Sequence, residues 1–88
     1  NNLDLLSNLA NLYLQQEQFD QATAYANKAL RIDPNHIEAL IVLGHCCIRL
    51  NVFDTALTAF RRVAELAPGT EGVDLLVTEL ESMVAVSV

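Results

Sequence analysis

Shifted against itself by 34 residues, the chain lays like on like. Leu6 falls on Leu40, Leu9 on Leu43, Phe19 on Phe53, Asp20 on Asp54, Ala22 on Ala56 and Pro34 on Pro68. Conservative pairs fill the intervals: Leu3/Ile37, Asp4/Glu38, Ala10/Gly44, Leu14/Ile48 and Ile32/Leu66. A fixed lag of this length marks stacked supersecondary units, each too small to bury its apolar face alone and completed by its neighbours.

Each unit reads as two helices. In the first, Leu5, Leu6, Leu9, Leu12 and Tyr13 recur at helical spacing to about residue 16. The stretch 16–18 turns the chain, and a second helix carrying Ala22, Ala26, Ala29 and Leu30 follows over about 19–32. Asp33-Pro34 closes it, because the ring of a proline pushes the preceding residue out of the helical region. The second unit repeats the plan: a helix over about 37–50, a turn at Asn51-Val52, a helix over about 53–66, then a stop at Ala67-Pro68-Gly69. A fifth helix is expected over about 71–84, with Thr70 as its N-cap. Its inward stripe reads Val73, Leu76, Leu80 and Met83, its wet face Asp74, Glu79, Glu81 and Ser82, and the tail 85–88 falls outside it. Ala10, Gly44, Ala22 and Ala56 remove bulk at the helix crossings, with Tyr13, Phe19, Phe53 and Phe60 as the larger knobs beside them.

These residues resemble the tetratricopeptide-repeat family, whose signature runs W-x2-L-G-x2-Y…A-x3-F…P over 34 residues. Here it reads Leu6-x2-Leu9-Ala10-x2-Tyr13…Ala22-x3-Ala26…Pro34, then Leu40-x2-Leu43-Gly44-x2-Cys47…Ala56-x3-Phe60…Pro68. The departures are Leu for Trp twice, Ala26 for the aromatic and Cys47 for Tyr. The resemblance implies an all-α superhelix, one domain over 1–88, with repeats at about 3–36 and 37–70 and a capping helix at about 71–84. It further implies a concave groove lined by the first helix of each unit. The groove positions are Asp4, Ser7, Asn11, Leu14 and Gln15, then Glu38, Ile41, His45, Ile48 and Arg49. Ile41, His45 and Ile48 form one stripe at i, i+4 and i+7, suited either to a partner helix or extended peptide or to cover by a neighbouring segment of the chain itself. Some members hold the C-terminal carboxylate of heat-shock chaperones with a clamp of Lys, Asn, Asn, Lys and Arg. The matching places here hold Ser7, Asn11, Val42, Gly72 and Leu76, so that clamp is not expected.

Charge narrows the partners. Five Lys and Arg face eleven Asp and Glu, a net charge of −6, which repels phosphate backbones and anionic lipid. No apolar run approaches the ~18–20 residues of a membrane span. No basic leader segment is visible at Asn1-Asn2-Leu3-Asp4, an opening that reads as that of a fragment or processed form. Adjacent Cys46 and Cys47 point about 100° apart on a helix and cannot join without strain, so free thiols and a cytoplasmic setting are expected. His45-Cys46-Cys47 fans round its helix instead of converging as metal ligands at i and i+3 or i+4 do, and His36 stands nine residues away. No cofactor, metal or catalytic residue is expected, and no enzyme.

Three functions stay open at this level: a scaffold module, part of a longer protein, that binds a peptide or amphipathic helix in the groove; a small chaperone or assembly factor, as in secretion systems; and a structural module that pairs with its own kind. The third draws on Leu5 and Leu12, which lie on the face an upstream repeat would cover.

Overall fold

The computed structural model describes residues 2–86. They form five helices: α1 (Asn2–Gln15), α2 (Phe19–Ile32), α3 (Ile37–Arg49), α4 (Phe53–Leu66) and α5 (Val73–Val86). Each packs on the next, and α1 also packs on α3, which stacks the pairs into an elongated solenoid of 39 × 26 × 20 Å.

The lag of 34 is written into the backbone. Glu17 and Asn51 both take the left-handed conformation, at φ 59° and 63°. After α1 the Gln18 N–H donates to the Tyr13 carbonyl at 2.9 Å and the Glu17 N–H to Leu14 at 3.0 Å; after α3 Val52 reaches Cys47 at 2.7 Å and Asn51 reaches Ile48 at 3.1 Å. This doubled pattern satisfies the orphan carbonyls of a helix end and reverses the chain in two residues. The helices before the prolines end alike: Asp33 and Ala67 leave the helical region at φ −139° and −137°, and their N–H groups return to Ala29 and Val63. Asp33 then accepts the Asn35 N–H at 3.0 Å, fixing the bend into α3.

Two buried clusters lie side by side along the stack. One holds Ala10, Ala22, Ala26, Val42 and Cys46; the other Leu40, Cys47, Ala56, Leu57, Phe60, Val63, Val73 and Leu80. The adjacent cysteines therefore belong to different cores, since the 100° step of the helix turns Cys46 to the first and Cys47 to the second. At the α3–α4 crossing the Phe60 ring fills the space above Gly44, where a built Cβ would stand 2.5 Å from Phe60 Cε2. Residue 44 has no room for a side chain while that ring is present.

The fifth helix departs from expectation at both ends. Thr70 does not cap it: its hydroxyl donates back to the Ala67 carbonyl at 2.7 Å, and Gly72 at φ 83° delays the helix to Val73. The helix then runs to Val86, so residues 85 and 86 of the expected tail are helical; 87 and 88 lie outside the described residues. Its inward face is Val73, Leu76, Val77, Leu80 and Val84, whereas Met83 is 45% exposed. The stripe turns by 3.6 residues, so after Leu80 the next inward position is 84 and not 83. The helix packs on α4, and its Val73 and Leu80 join the same core cluster as Leu40 and Cys47 of α3.

Candidate functional site

The groove residues fall on α1 and α3, the first helices of the two pairs, which pack on each other. On α3 the open sector is Glu38, His45 and Arg49, flanked by half-buried Ile41 and Ile48. On α1 it is Asp4, Asn8, Asn11 and Gln15, with half-buried Leu14 packed against the first cluster. Between them opens a cleft of about 280 Å³ lined by Ser7, Asn8, Asn11, Glu38, Ile41 and Val42. Four expected positions meet there; Asp4, Leu14, Gln15, His45, Ile48 and Arg49 lie outside its lining.

Ser7 sits deeper than a surface position, at 1% exposure, and its hydroxyl donates to Glu38 Oε2 at 3.2 Å. This bond ties α1 to α3 and holds the carboxylate at the cleft mouth. At the far end Arg49 donates to Glu17 at 2.9 Å and lies over the Phe19 ring at 4.8 Å. Both ends of α3 are thus pinned to the first helical pair, one by an acid and one by a cation. The exposed Arg49–Glu17 pair contributes little to stability on its own, at most about 1 kcal/mol.

Ile41 and Ile48 are packed against the second cluster, so the stripe divides: its isoleucines give part of their surface to the protein's own core, and His45 faces outward. The His45 ring meets Phe60 edge-on, centroids 5.2 Å apart. Burial of that edge holds the imidazole below its usual range, so it is neutral at pH 7. Burial likewise pushes both thiols up. The Thr23 hydroxyl beside Cys46 works against the shift, and the neighbouring Cys46 adds to it at Cys47. Protonated, buried thiols are poor nucleophiles. Among the described residues no group of three or more His, Cys, Asp or Glu gathers to hold a metal ion, and no helix is long and apolar enough to cross a membrane.

Two lining residues, Asn8 and Val42, escaped the sequence reading. Asn8 stands one turn after Asp4 and one position from Ser7, and its place in the lining depends on how far α3 leans toward α1, which no periodicity encodes. Val42 matched a clamp position and is in fact 5% exposed, forming the apolar floor. A second, larger cleft of about 440 Å³ lies between Pro34, α3 and α4, floored by Leu40, Leu43 and Ala59 and edged by Arg62, which donates to Asn35 at 2.6 Å. On the outer helices, Leu5 and Leu12 of α1 are 56% and 48% exposed and Leu75 of α5 is 64% exposed.

Comparison with known proteins bears on this geometry. A family model described as tetratricopeptide repeat matches residues 13–80. The chain is 32% identical over 72 residues to the UPF0162 protein of Xylella fastidiosa, covering 82% of this chain and 26% of that protein. It is 29% identical over 82 residues to the protein SGT1 homolog of Oryza sativa subsp. japonica, covering 93% of this chain and 22% of that one. With the peptidyl-prolyl cis-trans isomerase FKBP4 of Mus musculus it shares 34% over 64 residues, 73% of this chain and 14% of the isomerase. The chain thus spans between 14% and 26% of the length of these curated relatives.

Proposed function

The chain belongs to the tetratricopeptide-repeat family, and we propose that it is a module of a longer protein that holds an extended peptide or helix of a partner along α1 and α3. Repeats of this kind mediate protein–protein interaction; the position of the surface and the form of the partner are our reading. The observation that carries it is the cleft between the two helices, where exposed amides and a carboxylate surround an apolar floor. Such a mixture fits a peptide better than a flat apolar face would, because the amides can pair with peptide N–H and C=O groups while the floor takes a side chain. A cytoplasmic setting is part of the same proposal and rests on the two unjoined, buried thiols.

Selection of peptides from a random display library against this chain tests the proposal. Asn11 and His45 are exposed, so Asn11→Ala with His45→Ala removes two surface side chains without adding charge, and circular dichroism checks that the helical fold is kept. Selected peptides are expected to bind that variant at least about tenfold more weakly, a loss of ~1.4 kcal/mol. Equal binding to both would place the working surface elsewhere.

A second reading, self-association, draws on Leu5 and Leu12, large apolar side chains one above another on the outer face of α1. Sedimentation over a wide concentration range decides it. A Leu5→Lys, Leu12→Lys variant should shift any dimer to monomer, and a native chain that stays monomeric throughout ends this reading.

A further inference from the structure

The cleft between α1 and α3 has the chemistry of a pocket for one long basic side chain. Glu38 brings a carboxylate to its mouth, and a carboxylate offers about four acceptor sites. Of these the Ser7 hydroxyl takes one, at 3.2 Å, and among the described residues no other hydrogen bond to Glu38 is made. The side-chain amides of Asn8 and Asn11, also in the lining, make no hydrogen bond to another described residue, so their oxygens are open acceptors as well. Below them lie Ile41 and buried Val42, an apolar wall against which a methylene stem can rest.

Among the described residues, neither α1 nor α3 brings a matching cation to the cleft. Arg49 is the single Lys or Arg on α1 or α3, and Glu17 holds it at the opposite end of α3. His45, one turn beyond Ile41, is neutral at pH 7. Among the described residues of α1 and α3, this acceptor-lined cleft with its carboxylate therefore has no counter-ion, in a chain of net charge −6.

From this charge complementarity we infer that the partner is a cationic peptide whose lysine or arginine inserts between α1 and α3. Its stem lies on Ile41 and Val42 and its head group donates to Glu38 and to the amide oxygens of Asn8 and Asn11. The charge is the reverse of that met by the carboxylate clamp of some relatives, whose cation positions are held here by Ser7, Gly72 and Leu76. The pocket rests on the groove reading above and adds the chemical class of the ligand. The Ser7–Glu38 hydrogen bond orients the carboxylate before any ligand arrives, which lowers the ordering cost of binding.

Titration of the isotope-labelled chain with single blocked amino acids, read by NMR, tests the pocket directly. The probes are N-acetyl methylamides of arginine, lysine, norleucine and glutamate. Arginine and lysine are expected to move the amides of Asn8, Asn11, Glu38 and Val42, with norleucine and glutamate at least about tenfold weaker, the scale of one charge-assisted hydrogen bond. Glu38→Gln keeps an acceptor for Ser7 and removes the charge; it should weaken arginine about tenfold, and added salt should do the same to the native chain. Norleucine equal to arginine, arginine binding untouched by Glu38→Gln, or shifts confined to other surfaces each overturn the inference. The library selection separates this failure from that of the groove itself. Peptides that need Asn11 and His45 but carry no basic residue and ignore Glu38→Gln leave the groove standing and remove the pocket. Peptides indifferent to Asn11 and His45, with the cleft amides unmoved by arginine, remove the groove and the pocket together.

Discussion

The two helical pairs pack the same crossing with opposite distributions of bulk. In the first, Ala10 and Ala26 share one buried cluster, and the aromatic volume sits at its side in Tyr13 and Tyr25, stacked at 5.4 Å with planes 7° apart. In the second, residue for residue at a lag of 34, Ala10 and Ala26 become Gly44 and Phe60, while Tyr13 and Tyr25 become Cys47 and Ala59. The ring has moved from the flank of the crossing to its centre, and the Cβ that would obstruct it is gone. Departures from the family signature at 26 and 47 are thus two halves of one exchange, each unit filling its interior to native density by a different route.

The sharpest way to break this comparison is at Phe60, which is 1% exposed. Phe60→Ala should cost about 3–5 kcal/mol, much of the stability of so small a domain. Gly44→Ala should cost about 1–3 kcal/mol, because the added Cβ would stand 2.5 Å from the ring of Phe60, which is 1% exposed. The double variant restores the Ala–Ala crossing of the first pair, so its cost should fall short of the sum by more than 1 kcal/mol. Guanidinium unfolding of all four chains measures this. Additive costs would mean the glycine does not exist for the ring.

The flank of the first pair should be milder. Tyr13 and Tyr25 are only half-buried, and Lys28 Nζ stands 4.9 Å from the Tyr25 ring centre, still in solvent. Tyr25→Ala should cost about 1–2 kcal/mol, most of it lost stacking and contact area. A cost equal to that of Phe60→Ala would show that the stacked pair, too, is a central packing element.

What could be read in advance follows the same division. Helices α2 and α4 and the proline stops were legible to the residue, because Asp33-Pro34 and Ala67-Pro68 act through local sterics alone. That Cys46 and Cys47 would both be buried was also legible; that they would serve separate cores needed the placement of α3 between α2 and α4. The start of α5 was not legible, since Thr70 looks like a cap and only the backbone of Gly72 shows the chain still turning. For the cleft, it was the family resemblance and not the spacing that named Ser7, Asn11, Glu38 and Ile41 as groove positions. The burial of Ser7 and the sharing of Ile41 and Ile48 with the core depend on how closely helices approach, a tertiary quantity.

The two turns offer a smaller test of the same parallel. Asn51 suits the left-handed region, in which its short side chain is tolerated, whereas Glu17 holds the equivalent place against its preference. Asn51→Ala should cost about 1 kcal/mol. Glu17→Asn should gain a few tenths, the relief of strain being offset by loss of the exposed pair with Arg49, itself worth ~0–1 kcal/mol. Thermal unfolding resolves both signs, and a clear loss at Glu17 would show that the ion pair outweighs the strained backbone.

The smallest expected effect separates the outer faces of the two first helices, where Asn11 of α1 corresponds to His45 of α3. Only the second can titrate near neutrality. Its folded pKa lies below the ordinary 6.5 because burial against Phe60 disfavours the charged ring. The unfolded chain therefore takes up this proton first as pH falls. Above about pH 6.5 the imidazole is neutral in both states and contributes nothing; below it, stability is lost as pH drops toward the folded value, and stays lost beneath that. His45→Asn, which writes the α1 residue into α3, should flatten the stability profile over this window while leaving stability at neutral pH nearly unchanged. Every other titrating group is common to both chains, so the difference between their profiles isolates the ring. A difference of the opposite sign, with the native chain gaining on acidification, would mean that the protonated imidazole finds an acceptor in the folded groove, and Glu38 is the nearest acid along α3 from which to seek it.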